Sequence, residues 1–172
     1  MTTVVVTGAA RTAIGTARKG TLAGTPAEKM AATAIRAAVE RSGFAPDEID
    51  DVVLAESLYG GGAVARHAAV ELGMIRAAGM AVNRHCAGSL SSAGVAAGAI
   101  LAGMERVMVA GGVNSSSLSP EMQQRNPATG EMQRWWPPTH PDSPEAPNRD
   151  MSITVGWNAA KAVGLTRQEI DA

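Results

Sequence analysis

Apolar positions change their period along this chain, and the changes divide it into elements. Thr3-Val4-Val5-Val6-Thr7 is a β-branched run of strand length, which predicts a buried strand. Gly8 to Gly24 is rich in Gly, Ala and Thr and reads as a loop carrying Arg11, Arg18 and Lys19. A helix start follows: Thr25 suits the N-cap, Pro26 the first helical position, and Glu28 completes a capping box. Ala27, Met30, Ala31, Ala34, Ile35, Ala38 and Val39 then recur at helical spacing until Ser42-Gly43 ends the pattern. Pro46 to Asp50 predicts a short turn, and Asp51 to Glu56 a second strand. Gly60-Gly61-Gly62 breaks the chain before a helical stretch around Val64 to Leu72.

Gly79 to Asn83 reads as a third strand that leads directly into Cys86. Ser89 to Gly103 has helical character with almost no polar face, which predicts a buried helix. Arg106 to Ala110 is a fourth strand, closed by Gly111-Gly112. Strands alternating with helices imply α/β architecture with right-handed crossovers and a mostly parallel sheet. The alternation stops at Val113. From there to Asp150 the chain is Ser-, Pro- and Gln-rich and too long for an ordinary connection, so it reads as an excursion. Trp135-Trp136 within it favours an ordered, packed segment. Ser152 to Val163 predicts a helix ending at Gly164. Thr166-Arg167-Gln168-Glu169 is a second capping box, with Leu165 and Ile170 placed as a hydrophobic staple. Either that tail frays or its helix continues beyond Ala172, and the strength of the signature favours the second.

Composition narrows the class without naming it. The 172 residues suffice for one domain with a core. With 45% hydrophobic residues, 18% charged and a net charge of -1, neither nucleic acid nor an anionic membrane is expected as a partner. The N-terminus shows no signal-peptide pattern and no stretch has membrane-spanning character, so a cytoplasmic location is expected. One cysteine cannot form an intramolecular disulfide, and with three scattered histidines it offers no metal-ligand cluster, so no metal is expected.

That cysteine is the candidate for chemistry. Ala81-Val-Asn-Arg-His-Cys86-Ala-Gly-Ser-Leu places it between a strand and a helix. Backbone N–H groups at a helix start lack internal partners and favour nearby negative charge, which promotes the thiolate, the nucleophilic form. The same donors can stabilise an oxyanion formed on attack at a carbonyl. Ala87, Gly88 and Ser89 are small enough to leave room for a substrate. Free cysteines are more commonly small buried hydrophobes, so spacing alone leaves both readings open.

Three segments together resemble the N-terminal half of a thiolase, in order and across essentially the whole chain. Val4-Val-Val-Thr-Gly-Ala-Ala-Arg-Thr-Ala-Ile-Gly15 is similar to the family's opening strand and turn. Val82-Asn-Arg-His-Cys86, the small-residue helix and Val109-Ala-Gly-Gly112 resemble its nucleophile region. Met151-Ser-Ile-Thr154 with Trp157-Asn158-Ala159-Ala160 resembles the helix after its loop domain. The resemblance implies a layered α/β half-fold over residues 1–112, the start of a coenzyme A-binding loop domain over 113–150, and a following helix over 151–172. It implies that Cys86 takes an acyl group from an acyl-CoA or 3-ketoacyl-CoA as a thioester. Thiolysis or Claisen condensation then completes the transfer, with coenzyme A as substrate or product and no permanently bound cofactor. Asp150, Met151 and Gly88 are the implied substrate-binding positions, Asp150 standing where many members have a His facing the pantetheine arm. The family's activating His, Asn and second Cys come from a C-terminal half that this chain lacks, so alone it is expected to be inactive. Members assemble as dimers or tetramers and act in fatty-acid metabolism. Two departures stand out: Gly88-Ser89 reverse the usual order after the nucleophile, and Val113-Asn114 replace the common Met-Glu.

Other readings remain beside this one. His85 adjoins Cys86, but neighbours in an extended segment point apart, which argues against it as general base. Val4-Val-Val-Thr-Gly-Ala-Ala-Arg11 also resembles a short-chain dehydrogenase nucleotide loop, yet its middle glycine is missing and Tyr59 has no Lys four residues on. A thiolase-like chain without catalysis, serving lipid binding or assembly, is the third reading.

Overall fold

The computed structural model describes residues 3–57, 63–136, 138–139, 141–144 and 151–171. The chain divides after Pro120 into two units, each described by itself. The Gly60–Gly62 break, Tyr59, His140 and Asp150 lie outside the described residues.

The first unit is built on three parallel strands, β1 (Asp51–Ala55), β2 (Ala78–Val82) and β3 (Met108–Gly112), in the order β2-β1-β3. Val52, Val53, Leu54 and Ala55 of the central strand are all buried, as a strand covered on both faces requires. Helix α1 (Ala27–Ser42) and helix α2 (Ala63–Glu71) pack against each other on one face. Val52 and Leu54 join Ala31, Ala32, Ile35 and Val39 of α1 and Ala65, Ala68 and Ala69 of α2 in one apolar cluster. Residues alternate across a strand, so Val53 and Ala55 face the opposite side, where α3 (Gly88–Leu101) lies against β1 and β3. The chain crosses the sheet one way through α2 and returns through α3. Crossovers of one hand then put these helices on opposite faces.

Small residues set the layer spacing. A Cβ on Gly79 of β2 would sit 2.5 Å from the backbone nitrogen of Arg66, so α2 rests on the strand with no room for a side chain. Lys29 of α1 and Glu71 of α2 form an ion pair at 2.7 Å, and His67 approaches the same carboxylate at 3.2 Å. Asp50 fastens the start of the sheet. Its Oδ2 accepts from the N–H groups of Arg106 at 2.8 Å and Val107 at 2.9 Å. These donors hold its carboxyl below the usual carboxylate range.

Four expectations from the sequence are corrected. Thr3–Thr7 is not a strand: Val6 is 87% exposed, and the chain runs beside α1, where Arg41 Nη1 donates to the carbonyl of Ala9 at 2.7 Å. Helix α1 starts at Ala27 with Pro26 as an extended N-cap, and Thr25 makes no side-chain bond to it. The last strand is Met108–Gly112 rather than Arg106–Ala110, because Asp50 takes the Arg106 and Val107 donors while Gly111 and Gly112 pair with Leu54 and Ala55. Helix α3 is not enclosed, for Leu90 is 80% and Leu101 58% exposed.

In the second unit, β4 (Gln123–Arg125) and β5 (Met132–Arg134) form an antiparallel hairpin, so the excursion is ordered there. Its turn is held by Asn126, whose Oδ1 accepts from Ala128 N–H at 2.9 Å, and by Gly130 in a left-handed conformation. The Arg134 guanidinium lies 4.4 Å from the Trp136 ring centroid. Helix α4 (Met151–Val163) follows, and α5 (Arg167–Asp171) opens on the expected capping box. Glu169 Oε2 accepts from Thr166 N–H at 2.8 Å and Glu169 N–H donates back to Thr166 Oγ1 at 3.3 Å.

Candidate active site

Parallel strands place their carboxyl ends on one edge, where α/β sheets bind ligands. In the first unit that edge carries Cys86. After β2 the chain passes through Asn83 and Arg84, makes a 3-10 turn over His85–Ala87, and enters α3 at Gly88. Cys86 is exposed. It lines an open cavity of about 360 Å³. Ala55 and Ser57 from the end of β1 form one wall, Gly112, Val113 and Asn114 from the end of β3 another, and His85 and Ser89 complete it.

The floor depends on close approach. A Cβ on Gly88 would lie 2.5 Å from the Cβ of Ala55, and one on Gly112 would collide with Ser89 Oγ. Ser92, fully buried, donates its hydroxyl toward the carbonyls of Ser89 at 2.6 Å and Gly111 at 2.7 Å. These contacts seat the first turns of α3 directly on β1 and β3. The space left by the missing Gly88 side chain is filled by Ala55, and Gly88 itself is buried outside the cavity lining. Met151 begins α4 in the second unit.

The turn differs from a simple strand-to-helix junction. Ala87 N–H donates to the carbonyl of Arg84 at 3.0 Å and Gly88 N–H to that of His85, so two early donors are already used. His85 has φ +45°, a left-handed conformation rare for a residue with a side chain. The segment is therefore not extended at this point, and His85 and Cys86 line the same cavity. Asn83 Oδ1 accepts from His85 N–H at 2.9 Å, and Ser57 Oγ donates to the His85 carbonyl at 3.3 Å. Glu56, buried beside Ser57, accepts from Ala65 N–H at 3.0 Å and so receives the start of α2. Ser57, Glu56 and Asn83 join this region without being expected there from the sequence. An Asn two residues before a turn is a local signal for the last; the other two meet the site only through strand pairing.

Chemically, an exposed thiol in an open cavity can attack a carbonyl carbon and hold the product as a thioester. Among the described residues no hydrogen bond reaches the thiol, and Cys86 is the only cysteine in the sequence.

Comparison with known proteins identifies the family. Residues 4–172 match the model of the thiolase N-terminal domain. The acetyl-CoA acetyltransferase of Cupriavidus necator is 38% identical over 125 residues, covering 71% of this chain and 32% of that protein. The mitochondrial acetyl-CoA acetyltransferase B of Xenopus laevis is 39% identical over 125 residues, covering 71% and 30%. The crystal structure of the Bacillus anthracis acetyl-CoA acetyltransferase superposes with a TM-score of 0.65 at 31% identity, over 70% of this chain and 31% of that one. Acat5 thiolase from Ascaris suum, solved with coenzyme A, shares the fold with a TM-score of 0.74 over 95% of this chain and 44% of its own, at 24% identity. The chain spans about a third of the length of the curated relatives it matches. With its parallel sheet, its cysteine at the carboxyl edge and this match over nearly every residue, the chain belongs to the thiolase family and carries that family's N-terminal domain.

Proposed function

We propose that Cys86 is the nucleophile of an acyl transfer between coenzyme A thioesters, in a protein whose remaining machinery comes from a C-terminal half. The Cys86 thiolate adds to the thioester carbonyl of an acyl-CoA, and collapse of the tetrahedral oxyanion expels the coenzyme A thiolate. This leaves the acyl group on Sγ. In the cleavage direction the same thiolate adds to the 3-keto carbon of a 3-ketoacyl-CoA. The C–C bond breaks, and the departing acetyl-CoA enolate takes a proton. The observation that carries this reading is the exposure of a lone cysteine in an open cavity at the carboxyl edge of a parallel sheet.

A C-terminal half supplies proton transfer and the oxyanion site in this reading, and it covers the apolar outer face of α3. Support comes from the exposed Leu90, Val95 and Leu101 on that helix and from a length about a third that of the matched relatives. Asp150 and Met151 are proposed to meet the pantetheine arm, while Gly88 contributes by letting α3 approach β1. Assembly as a dimer or tetramer and a cytoplasmic location belong to the same proposal.

Alkylation tests the nucleophile. At pH 7, iodoacetamide is expected to modify Cys86 in the folded chain faster than it modifies free cysteine, with the urea-unfolded chain as control. A folded-state rate no higher than that of free cysteine would count against the proposal and favour a thiolase-like chain without catalysis.

A further inference from the structure

We infer that Asn83 and Ser57 are positioning residues for Cys86, holding His85 in the left-handed conformation that places the thiol in the cavity. The inference builds on the nucleophile reading above. Extended backbone continuing from β2 would carry residues 83–86 onward along the strand direction. The chain instead bends into the 3-10 turn through His85, whose φ is +45°. That conformation carries an energetic cost for a residue with a side chain, which bonds from its surroundings can offset.

Two side chains grip the peptide groups on either side of His85. Asn83 Oδ1 accepts from its N–H at 2.9 Å, an Asx turn, and Ser57 Oγ donates to its carbonyl at 3.3 Å. The carbonyl also accepts from Gly88 N–H, so the grip passes directly into the first residue of α3. Asn83 Nδ2 donates to the Ser57 carbonyl at 3.4 Å and ties the two clamping residues together. The result is a small ring linking the end of β1, the end of β2 and the residue preceding the nucleophile. None of these bonds belongs to the strand ladder or to the apolar cluster. Removing them therefore releases the turn without hollowing the core.

The test measures alkylation of Cys86 by iodoacetamide at pH 7 in the full 172-residue chain, with thermal unfolding run on every variant. N83A and S57A are each expected to react at least about fivefold more slowly than the unsubstituted chain, as release of a strained turn shifts its population. Their melting temperatures should change little. N83S, whose hydroxyl can still accept from His85 N–H, should recover part of the rate. Glycine adopts the left-handed conformation without strain, so N83A/H85G should recover more than N83A/H85A. Equal rates in N83A, S57A and the unsubstituted chain would overturn the inference, and so would equal recovery by glycine and alanine at position 85. The comparison with free cysteine judges the nucleophile reading separately, because the positioning test compares only variants with their parent.

Discussion

A methyl group at position 88 would meet the Cβ of Ala55 at 2.5 Å, so Gly88→Ala must push the start of α3 away from β1. The substitution is expected to cost about 1–3 kcal/mol, the usual range for overpacking. It should also slow Cys86 alkylation, since the displaced turn carries the thiol. Denaturant unfolding and alkylation read the two effects, and an unaltered rate would show that this contact does not seat the turn. Asp50 makes a second residue-scale case. Hydrogen bonds from Val107 and Arg106 lower its folded-state pKa, with unfolded carboxyls titrating near their ordinary value. The stabilisation is thus fully present above the unfolded pKa and is lost as pH falls through the lowered one. Asp50→Asn should melt several degrees below the parent at neutral pH, with the gap closing as pH falls below about 4. A gap that stays constant with pH would contradict this account of the carboxylate.

At the scale of elements, local patterns located most pieces, and long-range pairing decided the exceptions. Asp51–Ala55, Ala78–Val82 and Met151–Val163 each lie within one residue of the span their patterns predict, because apolar content and bounding turns are local signals. Val4, Val5 and Val6 have strand propensity, yet a strand also needs a ladder partner. Among the described residues these three valines join neither sheet. The shift of β3 toward Gly111 and Gly112 follows from Asp50, 56 residues from Arg106 in sequence, which no window would include. Cys86 was legible from its place between strand and helix. The His85 conformation and its Ser57 clamp were not, since they arise where two strands end side by side. The apolar sequence of α3 fitted burial, but only one side of it meets the sheet. Leu101→Ser should accordingly change the stability of this chain by no more than about 0.5 kcal/mol, as at other exposed positions. A melting temperature lowered by many degrees would show that the face is covered even in the isolated chain.

For the whole molecule, the proposed site is a nucleophile, Cys86, and its scaffold. The parallel sheet delivers Ala55, Ser57, Gly112 and Asn114 to one edge, the turn before α3 brings Cys86 among them, and the sequence holds no second cysteine. Accepting one acyl group by thiol exchange can proceed slowly on that nucleophile alone, whereas repeated turnover depends on the proton-transfer and oxyanion groups as well. The most direct measurement is therefore a single acyl transfer: the chain is incubated with isotopically labelled acetyl-CoA and mapped by peptide mass spectrometry. One acetyl group at Cys86, released by hydroxylamine or by free coenzyme A and absent from Cys86→Ser, is the result predicted. Label confined to lysines, or found equally in Cys86→Ser, would contradict the assignment of Cys86 as the acyl-accepting nucleophile.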